Sequence, residues 1–440
     1  MNKKFFRLNL ITLVMLTVMV LTQSCKKDSP TNSIPPNDLR IDSFSPKSAA
    51  KDSVVVISGA NFSQDVTENM VTFNGVAASV TTATATTLTA RVPTGAGSGK
   101  ITVTIDGKIA VSSDDFTYTY TVSTLAGDGI AGFKEGEGTV AEFYLPFGIA
   151  VDVSGNVFVG DGGNNRIRKI TPRGIVSTLA GNGTVGFADG TADVDARFHN
   201  PEGVAVDASG NVFVADFANY RIRKISAGMV TTLAGSGVAG FNDGPAMTAR
   251  FFDPEGIAID GSGNLFVAEY GNNRIRKITP GGIVGTVAGN GIEGFKDGVA
   301  TNAQFDSPFG VAADISGNIY VGDFRNNRIR KITGSTVVTF AGDGTADFKD
   351  GAGVSAKFTR PEGVAVDASG NIYVADRGNH RIRKITKEGI VSTIAGNGTP
   401  GFKNGTGVNA QFYFPSGIAV DASGNIYVTD YLNHCIRKLQ

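Results

Sequence analysis

The stretch Pro201-Glu202-Gly203-Val204-Ala205-Val206-Asp207-Ala208-Ser209-Gly210-Asn211-Val212-Phe213-Val214-Ala215-Asp216-Phe217-Ala218-Asn219-Tyr220-Arg221-Ile222-Arg223-Lys224-Ile225 decides the fold. Val204 to Val206 reads as a strand entered through Pro201 and Gly203. Asn211 to Ala215 follows a Ser-Gly turn, Arg221 to Ile225 comes third, and Met229 to Leu233 supplies a fourth run. Each is short, rich in β-branched or aromatic residues, and bounded by Gly, Asn or Asp, which supply the backbone angles of tight turns. No segment between them is long enough for a crossover helix, so the four runs must form a meander.

That meander repeats along the chain. Leu125-Ala126-Gly127 returns as Leu179-Ala180-Gly181, Leu233-Ala234-Gly235, Val287-Ala288-Gly289, Phe340-Ala341-Gly342 and Ile394-Ala395-Gly396, an interval of about 54 residues each time. Four strands per period without a helix predict propeller blades over a β/α solenoid. The ends point to a closed ring. A lone strand-like run, Val122 to Leu125, precedes the first unit, and the last unit stops after its third run, Ile436-Arg437-Lys438-Leu439. The first can complete the last, which removes two exposed edges at once and makes six repeats into six blades.

The residues before the repeats read differently. Lys3, Lys4 and Arg7 precede an apolar run from Leu10 to Leu21, too short to cross a bilayer, where about 20 residues are needed. Residues 1–24 are therefore expected to be a signal peptide. Leu21-Thr22-Gln23-Ser24-Cys25 resembles a lipobox, which implies acylation of Cys25. The Lys26-Lys27-Asp28 that follows is similar to surface-exposed outer-membrane lipoproteins of the Bacteroidota. Residues 25–37, with Pro30, Pro35 and Pro36 and almost nothing apolar, read as a flexible tether. Residues 38–120 hold short strand-like runs at Val54 to Ile57, Met70 to Phe73, Leu88 to Val92 and Ile101 to Ile105, broken at Gly59, Asn74-Gly75, Pro93 and Asp106-Gly107, which suits a small β-sandwich.

Two family resemblances follow from these residues. Ile41-Asp42-Ser43-Phe44-Ser45-Pro46, Gly59-Ala60-Asn61-Phe62, Val71-Thr72-Phe73-Asn74-Gly75 and Phe116-Thr117-Tyr118 resemble the IPT/TIG domain, an immunoglobulin-like spacer or adhesion module. The recurring Pro-x-Gly-Ile/Val-Ala-x-Asp, Gly-Asn-x-Phe/Tyr-Val and Asn-x-Arg-Ile-Arg-Lys resemble the NHL repeat, and the Ala-Gly-x-Gly-x-x-Gly-Phe loop is most similar to the teneurin-type variant. The expectation is all-β: an IPT/TIG sandwich at 38–120, then a six-bladed NHL propeller at 121–440. Such propellers serve as lyases, RNA-binding regulators, sensors and adhesion proteins, so the fold leaves the function open.

Each blade is an internal control for the other five. The acid ending each second strand (Asp161, Asp216, Glu269, Asp323, Asp376, Asp430) recurs throughout and reads as structural, paired with backbone N–H groups or the following Arg; a metal-binding carboxylate ring is the alternative. The Asp-x-Ser-Gly-Asn hairpins, faintly calcium-like, read as Asp side chains capping their own turns. Lys+Arg and Asp+Glu number 40 each, so the Arg-x-Arg-Lys strands read as inter-blade ion pairs and nucleic acid is not an expected partner. Two positions depart from the repeat. After the second-strand acid stand Gly162, Phe217, Tyr270, Phe324, Arg377 and Tyr431, and between Pro and Gly of the innermost strand stand Phe147, Glu202, Glu255, Phe309, Glu362 and Ser416. Propeller geometry puts both sets on one face, where the aromatic rings, Arg377 and the three glutamates can line the central mouth and bind a glycan or other nutrient. Packing of the rings between blades is the competing reading, and the absence of Trp weighs against sugar stacking.

An enzyme is not expected, and no cofactor or metal. Three histidines, His199, His380 and His434, would have to converge from three blades to hold the zinc of a lyase-type propeller, and no nucleophile–base arrangement is visible. Cys435 replaces the Arg of the other blades (Arg166, Arg221, Arg274, Arg328, Arg381) and reads as a buried lone thiol. The expected role is a lipid-anchored outer-membrane protein, facing outward, that binds an extracellular glycan or protein, with a nutrient-uptake transporter as a candidate neighbour. A protein–protein or adhesion scaffold is the alternative, and a metal-dependent lyase or hydrolase comes third.

Overall fold

A computed structural model describes residues 38–440. The signal peptide, Cys25 and the tether expected at 1–37 lie outside the described residues. Among the described residues no helix is long and apolar enough to cross a membrane.

The second repeat forms Pro201–Val206, Val212–Asp216, Arg221–Ser226 and Met229–Ala234 as an antiparallel meander, innermost strand first. A fifth strand of two residues, Gly190–Thr191, which the sequence did not announce, pairs outside the fourth. Six such five-stranded sheets are present, including Pro308–Ala313 to Thr336–Ala341 in the fourth repeat. In the sixth, Thr121–Ala126 lies between Cys435–Leu439 and the two-residue Gly405–Thr406, so the ring closes through the chain's first propeller strand as expected. The second strands are buried on both faces: Val212, Phe213, Val214, Ala215 and Asp216 are all buried, because neighbouring blades cover each side. Of the two phenylalanines in each long loop one goes inside, as Phe198 does, and one stays half outside under an arginine, as Phe187 does 3.9 Å from the Arg221 guanidinium.

The repeated acid and arginine form the polar core of each blade. Asp216 accepts from the His199 N–H at 2.9 Å, from Asn219 at 2.8 Å and from Arg223 at 2.7 Å, and both charged side chains are fully buried. The same set recurs at Asp161, Glu269, Asp323, Asp376 and Asp430. These ion pairs lie within a blade, between its second and third strands, and not between blades as the sequence reading had it. The strand register sets a direct pair of Asp216 with Arg221, which leaves Arg223 on the same face two residues on.

Residues 40–118 form eight strands hydrogen-bonded in one continuous series. Val76–Ala83 pairs both with Thr87–Arg91 and with Met70–Phe73, so the two sheets of the expected sandwich join into a barrel-like sheet. Phe73 and Phe116 meet edge to face at 4.9 Å in its core. Tyr118 and Tyr120 then carry the chain onto the propeller and share a buried cluster with Tyr373 and Ile418 of the fifth and sixth blades.

Candidate functional site

In each blade the innermost strand carries a register shift just after its proline, as between Pro201 and Val204. The glycine two residues past the proline explains how six strands close so tightly. A Cβ on Gly148, Gly203, Gly256, Gly310, Gly363 or Gly417 would overlap the carbonyl oxygen of Glu202, Glu255, Phe309, Glu362, Ser416 or Phe147 of the next blade. Only Gly allows that approach, and it brings the residue between Pro and Gly of every blade to the axis. The proline also pairs with the second-strand acid, as Pro361 does with Asp376, so the next residue on each side, Glu362 and Arg377, are neighbours. The two departing positions thus come together, blade by blade, at one mouth of the channel.

The aromatic members meet each other. Phe147 of the first blade and Phe309 of the fourth stack across the axis with centroids 5.2 Å apart. Tyr431 sits edge-on to Phe147 at 5.5 Å, Tyr270 edge-on to Phe309 at 6.2 Å, and Phe324 lies 5.7 Å from Phe309. The rings therefore neither stand apart around an open mouth nor lie flat between blades; they close the mouth as one stack. Arg377 pairs with Glu362 and holds its guanidinium 4.8 Å from the Tyr431 ring, while Arg325 donates to the Tyr270 hydroxyl at 3.0 Å. Phe217 is half-buried and has no ring partner among the described residues.

The three glutamates lie behind the stack. Glu362 is fully buried and also accepts from Ser416 Oγ. Glu202 accepts from Asn200 at 2.6 Å, and one oxygen each of Glu202 and Glu255 finds no donor. Burial pushes Glu202 up to about 7, and Glu255 goes well above its ordinary value through burial and the adjoining charge of Glu202. Both carboxyls therefore hold a proton to higher pH than an exposed glutamate does. Glu255, Ser416 and the undersides of Phe147 and Phe309 line a cavity of about 60 Å³, room for roughly two waters. Ile149, Val204, Ile257, Val311, Val364 and Ile418 line the same cavity, and a space of about 220 Å³ with aliphatic side chains around it continues along the innermost strands.

The histidines do not converge. His380 Nδ1 accepts from the Phe414 N–H at 3.1 Å and His434 Nδ1 from the Leu145 N–H at 3.3 Å, each across a seam to the next blade. Asn165, Asn273 and Asn327 do the same with their side-chain oxygens, so these positions latch blades together. His199 uses its backbone N–H on Asp216. Among the described residues no group of three or more His, Cys, Asp or Glu is placed to hold a metal. Cys435 is buried and free. Sequence reasoning missed Asn200, Arg325 and the bonding role of Ser416, all next to the predicted positions; Ser416 alone could have been singled out, as the one small residue in its set.

The sequence matches the IPT/TIG domain over residues 39–120 and the NHL repeat over 143–170, 198–225, 251–278, 358–385 and 412–439. The fourth blade is not among the matched stretches although it is built alike, with Ala313 where the others carry Val or Ile. The chain is 31% identical over 285 residues to Suppressor of quenching 1 of Arabidopsis thaliana, across 59% of this chain and 27% of that protein, and 29% identical over 308 residues to human teneurin-4, across 58% and 11%. It spans only these fractions of its curated relatives. Among solved structures, a protein of unknown function from Bacteroides thetaiotaomicron aligns over 92% of this chain and 98% of its own, at 22% identity and a TM-score of 0.64. An auxiliary nutrient binding protein from Bacteroides ovatus aligns over the same shares at 20% identity and a TM-score of 0.57. The fold, a small β domain followed by a six-bladed propeller, is thus shared with these Bacteroides proteins.

Proposed function

We propose that this chain is an outer-membrane lipoprotein, anchored at Cys25 and facing outward, that binds an extracellular nutrient, a glycan, at the loop face of its propeller and passes it to a neighbouring transporter. One observation carries the reading: the positions that break the repeat converge on the axis at a single mouth. Structure alone needs six equivalent residues there; this mouth holds half-buried rings, one arginine and buried glutamates instead. Sugar C–H faces stack on such rings, and Arg377 and the Tyr270 and Tyr431 hydroxyls can meet ring hydroxyls. The nutrient binding attributed to the Bacteroides ovatus protein, which has the same architecture, supports it. Binding is favoured over catalysis because the carboxylates are buried, and the cavity that Glu255 lines has a volume of only about 60 Å³.

The test is a titration of the purified chain with oligosaccharides and with soluble polysaccharides, repeated with Arg377→Ala. A saturable signal lost in the variant supports the reading, and no binding across the panel overturns it. Anchoring is tested apart from that: Cys25→Ser should move the protein from the membrane to the soluble fraction and abolish labelling with palmitate.

A further inference from the structure

The face opposite the ring stack is made of the hairpins that join first to second and third to fourth strands, and each seam between blades leaves a groove there. The seam between blades five and six is filled from within the chain. Tyr120, only 4% exposed, lies with Tyr118 against Tyr373, Ile394 and Val420. The Tyr120 and Tyr373 hydroxyls are hydrogen-bonded, and Tyr373 donates onward to Asp367 at 3.0 Å. Gly95 rests on the hairpin tip at Ser423 and Gly424, and burial beside this segment lowers the Lys384 ammonium.

The seam between blades two and three has the same parts at the same repeat positions. Asp207, Phe213, Lys224, Leu233 and Ile259 stand where the fifth and sixth blades have Asp367, Tyr373, Lys384, Ile394 and Val420. Nothing of the described chain fills it, and a cavity of about 620 Å³ lies between the two hairpins. One substitution matters chemically. Phe213 brings no hydroxyl to Asp207, so Asp207 Oδ2 accepts only from Asn211 at 2.7 Å, whereas Asp367 Oδ2 also accepts from Tyr373.

We propose that the groove between blades two and three is a docking site for an extended protein segment that presents a tyrosine. The segment would lie as Thr117 to Tyr120 lies in the homologous seam: its ring on Phe213, Leu233 and Ile259, its hydroxyl donating to Asp207 Oδ2. The occupant is a partner protein and not a second copy: each copy's Tyr118 and Tyr120 are buried in its fifth seam, and its exposed Tyr144 and Tyr413 are held edge-on against His434 and His380. This inference is independent of the ligand at the ring stack.

The probe is a fluorescein-labelled peptide with the sequence Phe-Thr-Tyr-Thr-Tyr, that of residues 116–120, titrated into the full chain and followed by anisotropy. Saturable binding is expected, weakened about tenfold or more by Ala208→Arg on the exposed hairpin tip, where the fold should be untouched. Replacing the second peptide tyrosine with phenylalanine should weaken binding to the wild type severalfold. Phe213→Tyr, which copies the fifth blade, should keep this difference, because its hydroxyl links the peptide's to Asp207 as Tyr373 links that of Tyr120 to Asp367. No saturable binding at millimolar peptide overturns the proposal. So does binding unaltered in Ala208→Arg, which would place the peptide elsewhere, and so does equal binding of the tyrosine and phenylalanine peptides to the wild type.

Discussion

Phe147 and Phe309, on opposite blades of the ring, stack at 5.2 Å with their planes 27° apart, and so close the channel that their own backbones help to form. Each then carries an edge-on tyrosine, Tyr431 and Tyr270 respectively. The stack is half structure and half surface, and the two halves separate experimentally.

Phe309 is 8% exposed, so Phe309→Ala should cost about 3 kcal/mol, in the range of buried Phe truncations. The half-buried pair Tyr270→Ala with Tyr431→Ala should cost clearly less than that, yet remove most glycan affinity. Urea melts of the two variants check the ranking. A double tyrosine variant as unstable as Phe309→Ala would make these rings packing residues and remove them from the site.

The glutamate pair should write a pH dependence on stability. Glu202 and Glu255 have folded-state values raised above the ordinary 4.5, so between pH 4.5 and about 7 the native state binds more protons than the unfolded chain. Their contribution is complete below pH 4.5 and lost as pH rises through about 7. Glu255→Gln removes one raised ionisation, so it should raise the urea midpoint at pH 8 and flatten the decline. Parallel wild-type and variant curves from pH 5 to 8 would refute the raised values.

His380 and His434 act in the opposite sense. Burial, aided for His380 by the Arg381 and Arg377 charges, holds both below the ordinary 6.5, and their Nδ1 atoms must stay unprotonated to accept across the seam. The unfolded chain then binds more protons below pH 6.5, so stability from the latches is present above 6.5 and lost as pH falls toward the depressed values. His380→Asn with His434→Asn copies the asparagines of other blades and should abolish this part of the acid loss with neutral-pH stability unchanged. His434→Ala should cost about 1 kcal/mol above pH 6.5 by orphaning the Leu145 N–H, and less as pH falls.

Deleting residues 121–126 should be far more damaging than any of these. Thr121–Ala126 is the strand between Cys435–Leu439 and the rim of the last blade, and its loss leaves an open edge and an incomplete ring. The expected outcome is aggregation or a melting temperature lowered by well over ten degrees. An unchanged melting curve would contradict closure through this strand.

Much of this was legible in the chain. Turn residues at fixed spacing and a period of about 54 residues specify the meander, its copy number and the way the ends join, because those features depend on local backbone chemistry repeated along the sequence. Comparing blades also separated repeated residues such as Asp216 from departing ones such as Phe324, and placed the departing ones on one face. What the comparison left open was distance across a ring. A ring of six brings Phe147 within van der Waals reach of Phe309, three blades away, because the glycines of the innermost strands let the blades crowd the axis. Nothing in either residue's sequence neighbourhood encodes that meeting.

The sequence by itself therefore determined the kind of blade, their number and the closing strand, all set by local pattern and periodicity. Only the tertiary structure decided that the rings shut the mouth instead of lining it, and that Glu202 and Glu255 are buried with raised pKa values. It alone placed Tyr120 in one seam and left the equivalent seam at Phe213 empty. The physical reason is the same in each case: burial and contact at the axis and at the seams are set by residues from different blades, and only ring closure brings those together.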